Sequence, residues 1–174
     1  MTHRVKSRRP YDASQRRARA ADRRSAVLKA AHELFRREGF AATTVAAVAA
    51  QAGVSPETVY KNFGSKPGLV RALHEEALRG QGPVPAYRRS EALRTSADPL
   101  AIVRGWSRLS MELAPRGSPL LLLVRDAASL DPDLRRLLDE LDGARHERMT
   151  ENARFLRDAG HLRADVSVQT AADL

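Results

Sequence analysis

Apolar side chains recur along most of this chain at the period of an α-helix. Val27, Ala30, Ala31, Leu34 and Phe35 fall at i, i+3, i+4, i+7 and i+8, the stripe of a helix with one buried face. Alternating strand-like patterns are essentially absent, so the expected fold class is all-α. Local signals cut the pattern into segments. Gly39 stops the first helix. Thr44 suits the N-cap of a short second helix, with Val45, Val48, Ala49 and Ala52 on one face and Gly53 at its end. Ser55 followed by Pro56 opens a third, a capping hydroxyl with proline at the first helical position, and Gly64 closes it. Ser65 caps a fourth, whose stripe is Leu69, Val70, Leu73 and Ala77.

Residues 80–97 contain Gly80, Gly82, Pro83 and Pro85 and read as a linker or long loop. Three helical stretches follow. Asp98 and Pro99 open the first, with Ile102, Val103, Trp106, Leu109 and Leu113 inward. The second, from about Pro119 to Ser129, is apolar on nearly every side and is expected to be the buried central helix. Asp131 and Pro132 open the third, which runs to Gly160 with Leu134, Leu137, Leu138 and Leu141 as its stripe. The closing VQTAADL, residues 168–174, reads like the opening turns of a further helix.

With 43% hydrophobic and 29% charged residues, the chain is expected to fold as a globule rather than stay disordered. There is no cysteine, which excludes disulfides, thiolate metal sites and a cysteine nucleophile. The longest apolar run, Leu120 to Val124, is far short of the roughly 20 residues that span a bilayer. The amino terminus has no apolar core of a secretory signal, so the expected location is cytoplasmic, with no membrane partner.

The net charge of +9 is unevenly placed: residues 1–79 hold 16 basic and 7 acidic side chains, residues 80–174 hold 14 of each. This segregation points to a polyanion partner for the first half. Residues 1–21 form a basic, proline-interrupted stretch without apolar period, expected to be a disordered arm. Arg16, Arg17, Arg19, Arg23 and Arg24 precede the first periodic apolar residue, and the arm is expected to follow a nucleic-acid backbone or enter the minor groove.

The two short helices from Thr44 to Phe63 have the dimensions of a helix-turn-helix. Gly53 supplies the unusual backbone angle of the turn, and Val54 plugs the gap between the helices. In the second helix Val59 and Phe63 face the core; Glu57 and Lys61 lie opposite, with Thr58 and Tyr60 on the flanks. Such a face can meet phosphates and base edges, and a helix-turn-helix lays its second helix in the major groove.

Residues 53–69, GVSPETVYKNFGSKPGL, resemble the signature of the tetracycline-repressor (TetR-like) family of transcriptional regulators, and the preceding LFRREGFAATTVAAVAAQAG, residues 34–53, is similar to the family's first two helices. The resemblance covers residues 23–79; beyond them only helix content and order agree. It implies a division into a basic arm (1–21), a helix-turn-helix DNA-binding domain (22–64), a connecting helix (65–79) and a helical effector-binding and dimerisation domain (80–174) whose final helices are missing. It further implies that Thr44 bonds a DNA phosphate, and that Ser55, Pro56, Glu57 and Thr58 lie nearest the bases. Tyr60 would reach the backbone, Lys61 and Asn62 phosphate or base, and Lys66 would clamp a phosphate, with Arg23 and Arg24 joining the interface. Two readings of Glu57 stand: it accepts a hydrogen bond from cytosine N4, or it merely complements its own helix dipole. Each of the others also has a plain structural reading. Thr44 and Ser55 cap helices, Tyr60 packs on the first helix, and Lys66 is a solvated charge.

By the same resemblance, the carboxy-terminal helices enclose an unknown small-molecule effector and form a homodimer on a palindromic operator. Effector binding would shift the separation of the reading heads and release DNA, which makes a ligand-responsive repressor the default. Trp106, Met111, His146, Met149 and Phe155 are the large or adaptable side chains suited to line that pocket, with His146 as an inward polar handle; ordinary core packing competes for each. The dimer interface is not assignable to particular residues.

No catalytic constellation stands out, so no enzyme activity, cofactor or metal is expected. The histidines at 3, 32, 74, 146 and 161 lack metal-ligand spacing, and there is no glycine-rich phosphate loop or G-x-S-x-G elbow. The alternative is a basic helical protein that binds nucleic acid or an anionic surface non-specifically. That reading leaves the Gly53–Ser55 turn and the outward face of residues 57–61 without a purpose.

Overall fold

A computed structural model of the chain describes residues 13–129 and 131–173. Among them are eight helices: α1 (Ala13–Ala42), α2 (Val45–Ala52), α3 (Pro56–Phe63), α4 (Lys66–Arg79), α5 (Ala86–Leu93), α6 (Pro99–Ala127), α7 (Pro132–Asp158) and α8 (Val168–Asp173). No strand occurs among the described residues, so the all-α expectation holds.

The helix ends follow the local chemistry. The side chains of Thr44, Ser55, Ser65, Asp98 and Asp131 each accept a backbone N–H of the first turn they precede. Gly39 interrupts α1 with non-helical angles, leaving residues 40–42 as a separate last turn. Gly53 caps α2 at φ 66°, a left-handed angle that a side chain would penalise.

One buried cluster joins the amino-terminal helices to parts of α6 and α7. Val27, Ala31, Leu34 and Phe35 of α1, Val48 and Ala49 of α2, Val59 of α3, and Leu69 and Val70 of α4 are buried together. Leu120 and Val124 of α6 and Leu134 and Leu137 of α7 belong to the same cluster. The end of α6 and the start of α7 therefore plug onto the amino-terminal helices.

Five expectations are corrected. Residues 13–21 are not a disordered arm: they are helical and continuous with α1. A fully exposed helix needs no apolar stripe, so periodicity does not reveal it; residues 1–12 lie outside the described residues. Residues 80–97 are not simply a loop, because Ala86–Leu93 forms α5, which has no side-chain cap to announce it. The two stretches around Pro115 and Pro119 are one helix, α6, that contains both prolines. Its apolar second half is not buried on every side, since Leu122 is 59% exposed, and Val103, expected inward, is 44% exposed.

Candidate nucleic-acid interface

The site begins with the packing that holds α3. Val59 is 1% exposed within the shared core, and Phe63 is half-buried at the other end of the same face. With those two inward, helical geometry turns Glu57, Tyr60 and Lys61 outward. All three are exposed, as are Ser55, Pro56 and Asn62, and Tyr60 keeps 53% of its surface accessible. Thr58 is half-buried.

Several of these side chains are tied to their own helix. Ser55 Oγ accepts the N–H of Thr58 at 3.3 Å and lies 3.2 Å from the Thr58 hydroxyl. Asn62 Nδ2 donates to the Thr58 carbonyl at 2.7 Å. The Ser55 hydroxyl and the residue's own backbone N–H hold the Glu57 carboxyl below the usual carboxylate range, so Glu57 is an anion at neutral pH. At the start of α2, Thr44 is exposed and its Oγ1 accepts the Ala47 N–H at 3.0 Å. Thr44 thus caps α2.

Lys66 takes a different place from the one expected. Its ammonium donates to the carbonyls of Phe40 at 2.8 Å and Thr43 at 2.9 Å, with Ala41 at 3.4 Å, and sits 4.1 Å from the centre of the Phe40 ring. Those contacts occupy the donors that a phosphate clamp would need. Burial pulls its pKa down, with Asp131 opposing. Lys66 thus fastens the start of α4 to the α1–α2 turn. Thr43, missed in the sequence, completes that turn: it is fully buried and its hydroxyl donates to the Gly39 carbonyl at 2.8 Å.

Gly68 sets how closely α3 and α4 approach. A Cβ there would lie 1.8 Å from the Phe63 carbonyl oxygen. Beside this junction, Arg23 and Arg24 of α1 are exposed, and the Arg24 guanidinium stands 4.9 Å from the centre of the Phe63 ring. An open cleft of about 450 Å³ runs from Arg24, Asn62 and Ser65 to Glu140 on α7, crossed by the Arg71–Glu140 ion pair at 2.5 Å.

Residues 27–73 match the family model of the bacterial regulatory proteins, tetR family. Over those residues the chain is similar to the TetR family of regulators. The match spans the second half of α1, the helix-turn-helix and the first half of α4. An uncharacterised HTH-type transcriptional regulator, YvkB of Bacillus subtilis (strain 168), is 38% identical over 58 residues, which are 33% of this chain and 31% of that protein. The chain therefore matches less than a third of that relative's length. The TetR-family regulator PfmR from Thermus thermophilus is 25% identical, with a TM-score of 0.60 over 84% of this chain and 78% of that one. Two further solved structures share the fold at a TM-score of 0.67. One is SmeT in complex with triclosan, at 24% identity, covering 87% of this chain and 73% of that one. The other is NalD, the secondary repressor of the MexAB-OprM multidrug efflux pump in Pseudomonas aeruginosa, at 22% identity, covering 89% and 78%.

The five expected effector residues do not converge. Met111 is 76% exposed on α6, and His146 faces out toward α8, its Nδ1 3.7 Å from Asp173. Both expectations fail because each side chain lies on the outward side of its helix. Trp106 and Phe155 do meet, edge to face at 6.3 Å, and Trp106 Nε1 donates to the Ser90 carbonyl at 3.2 Å. Met149 is half-buried on α7. None of the five lines the cleft described above.

Proposed function

We propose that the protein is a sequence-reading transcriptional regulator whose α3 enters the major groove of duplex DNA. The observation that carries this reading is the outward face of α3: an anion, a phenol, an ammonium and an amide stand exposed on a helix whose opposite side is locked into the core. In this reading Thr44 and the amino end of α2 take one phosphate, and Tyr60 and Lys61 take others. Ser55, Pro56, Glu57, Thr58 and Asn62 lie nearest the bases, and Arg23 and Arg24 add positive charge at the edge. Lys66 acts through the fold rather than on the DNA.

The protein acts in the cytoplasm as a homodimer on a palindromic operator, since one eight-residue helix reads too few bases to discriminate alone. It represses, and a small molecule in the carboxy-terminal half releases it. Two proteins of the same fold support that choice, NalD as a secondary repressor and SmeT as a complex with triclosan. The junction of Trp106 and Phe155, with Met149 on the same helix as Phe155, is where an apolar effector packs.

Selection of bound sites from a random duplex library tests the reading. An enriched palindrome is expected, with half-sites that report the bases met by Ser55 to Asn62. Binding without enrichment, falling steeply with salt, would leave only a non-specific polyanion binder.

A further inference from the structure

Helix α1 starts at Ala13, but its first buried residue is Val27. Residues 14–26 are all exposed, so roughly 20 Å of helix projects beyond the core at 1.5 Å per residue. This projection carries Arg16, Arg17, Arg19, Arg23 and Arg24 against a single acid, Asp22.

The phase of those arginines is informative. At about 100° per residue, Arg16 and Arg23 lie within about 20° of one another, as do Arg17 and Arg24, with Arg19 at the edge of the same arc. That arc continues the stripe which farther along α1 buries Val27, Ala31, Leu34 and Phe35. The cationic side of the projection therefore faces the side of α1 on which the helix-turn-helix packs. Arg24 shows this directly, with its guanidinium over Phe63 of α3.

We infer that residues 14–24 of α1 form a rigid cationic ridge that lies along the phosphate backbone flanking the bases read by α3. The inference rests on the DNA-binding reading above and extends it to a second contact surface. The ridge is a backbone binder because a helix about 10 Å wide with its side chains does not fit a minor groove about 6 Å wide. Entry of the helix itself into the minor groove is thereby ruled out for this segment. Arginine's planar fork suits phosphate oxygens. A lipid surface is a poor partner, because the side opposite the arginines carries Ser14, Ala18, Ala21 and Ser25, with no large apolar group to insert.

The test uses the full chain and two variants. Arg17→Ala/Arg19→Ala/Arg23→Ala removes charge while keeping a strong helix former at each exposed position. Ala18→Pro keeps every charge but breaks the helix ahead of residue 18, the part that presents Arg16 and Arg17. Affinity for the selected operator and for an unrelated duplex is measured from about 50 to about 300 mM salt. For the triple variant, affinity at low salt should fall about tenfold or more on both duplexes. The slope of log affinity against log salt should become shallower by about 2–3 per protomer, with the preferred sequence unchanged. Ala18→Pro should lose the part of that affinity that Arg16 and Arg17 supply from a helix. Unchanged affinity and slope in the triple variant, with operator selectivity intact, would overturn the ridge and leave the regulator reading standing. Full affinity in Ala18→Pro would overturn its rigidity. A wild-type chain with no sequence preference would remove the reading beneath it.

Discussion

The ammonium of Lys66 reaches back across the α1–α2 turn to the Thr43 carbonyl at 2.9 Å. It closes the open end of α1 by donating to Phe40 as well, and stacks its charge on that residue's ring. A cation placed there satisfies carbonyls that the break at Gly39 leaves without helical partners. Charge-assisted bonds of this type contribute about 1.5–3 kcal/mol. Lys66→Met should therefore lower stability by about 1–3 kcal/mol in urea unfolding. Lys61→Ala, at an exposed position, should stay within about 0.5 kcal/mol while weakening DNA binding. Equal stability in the two variants would contradict the fastening role of Lys66.

Gly68 predicts a steric effect of a different kind. Its missing side chain lets the first turn of α4 approach the Phe63 carbonyl, where a methyl group would sit at 1.8 Å. Because the obstacle is backbone, Gly68→Ala must displace α3 or α4. A cost of about 1–3 kcal/mol, the range for overpacking, is expected as a fall in melting temperature. The same displacement should reduce DNA affinity even though Gly68 lies outside the reading face.

Glu112 gives an acid-limb prediction. Arg89 donates to both its oxygens at 2.7 Å, and the Gln81 N–H adds a third bond, so its pKa falls from 4.5 to about 2. A carboxylate with a depressed folded-state pKa contributes stability that is complete above its unfolded value and disappears as pH falls through its folded one. Wild type should therefore melt above Glu112→Gln at about pH 6. The gap should close between about pH 4.5 and about pH 2. A gap that persisted unchanged to the lower end of that range would mean the pair contributes through packing alone.

Glu57 separates reading from holding. It is exposed and anionic, and its partners are Ser55 and its own backbone. Glu57→Ala should leave stability within about 0.5 kcal/mol and change which sequence is preferred in site selection, because a carboxylate in the groove favours cytosine N4 and repels phosphate. A variant that scaled all affinities by one factor would sink the base-reading role in favour of the dipole one.

The sequence is most legible where boundaries are chemical. Thr44, Gly53, Ser55 with Pro56, Gly64 and Ser65 mark every end of α2 and α3 and the start of α4, and each performs the expected capping or turning task. It is least legible where tertiary contacts decide. The carbonyls that turn Lys66 inward lie 23 to 26 residues upstream, beyond any local pattern. Pro115 and Pro119 look like breaks, yet α6 continues through both because its end is anchored by Leu120 and Val124 in the shared core. Met111 and His146 have pocket-like chemistry, but only packing determines which side of a helix meets solvent.

The chain contains one tryptophan. Trp106 is half-buried, bonded to α5 through the Ser90 carbonyl and set edge-on to Phe155 of α7. Its fluorescence therefore originates at a single address, the meeting of α5, α6 and α7, far along the chain from the face of α3. The molecule carries its own optical gauge: a compound that wedges into this junction must alter the colour or brightness of the indole. Events confined to α2 and α3 leave the signal unmoved, so one emission spectrum tells a disturbance of the carboxy-terminal helices from one of the reading head without any added label.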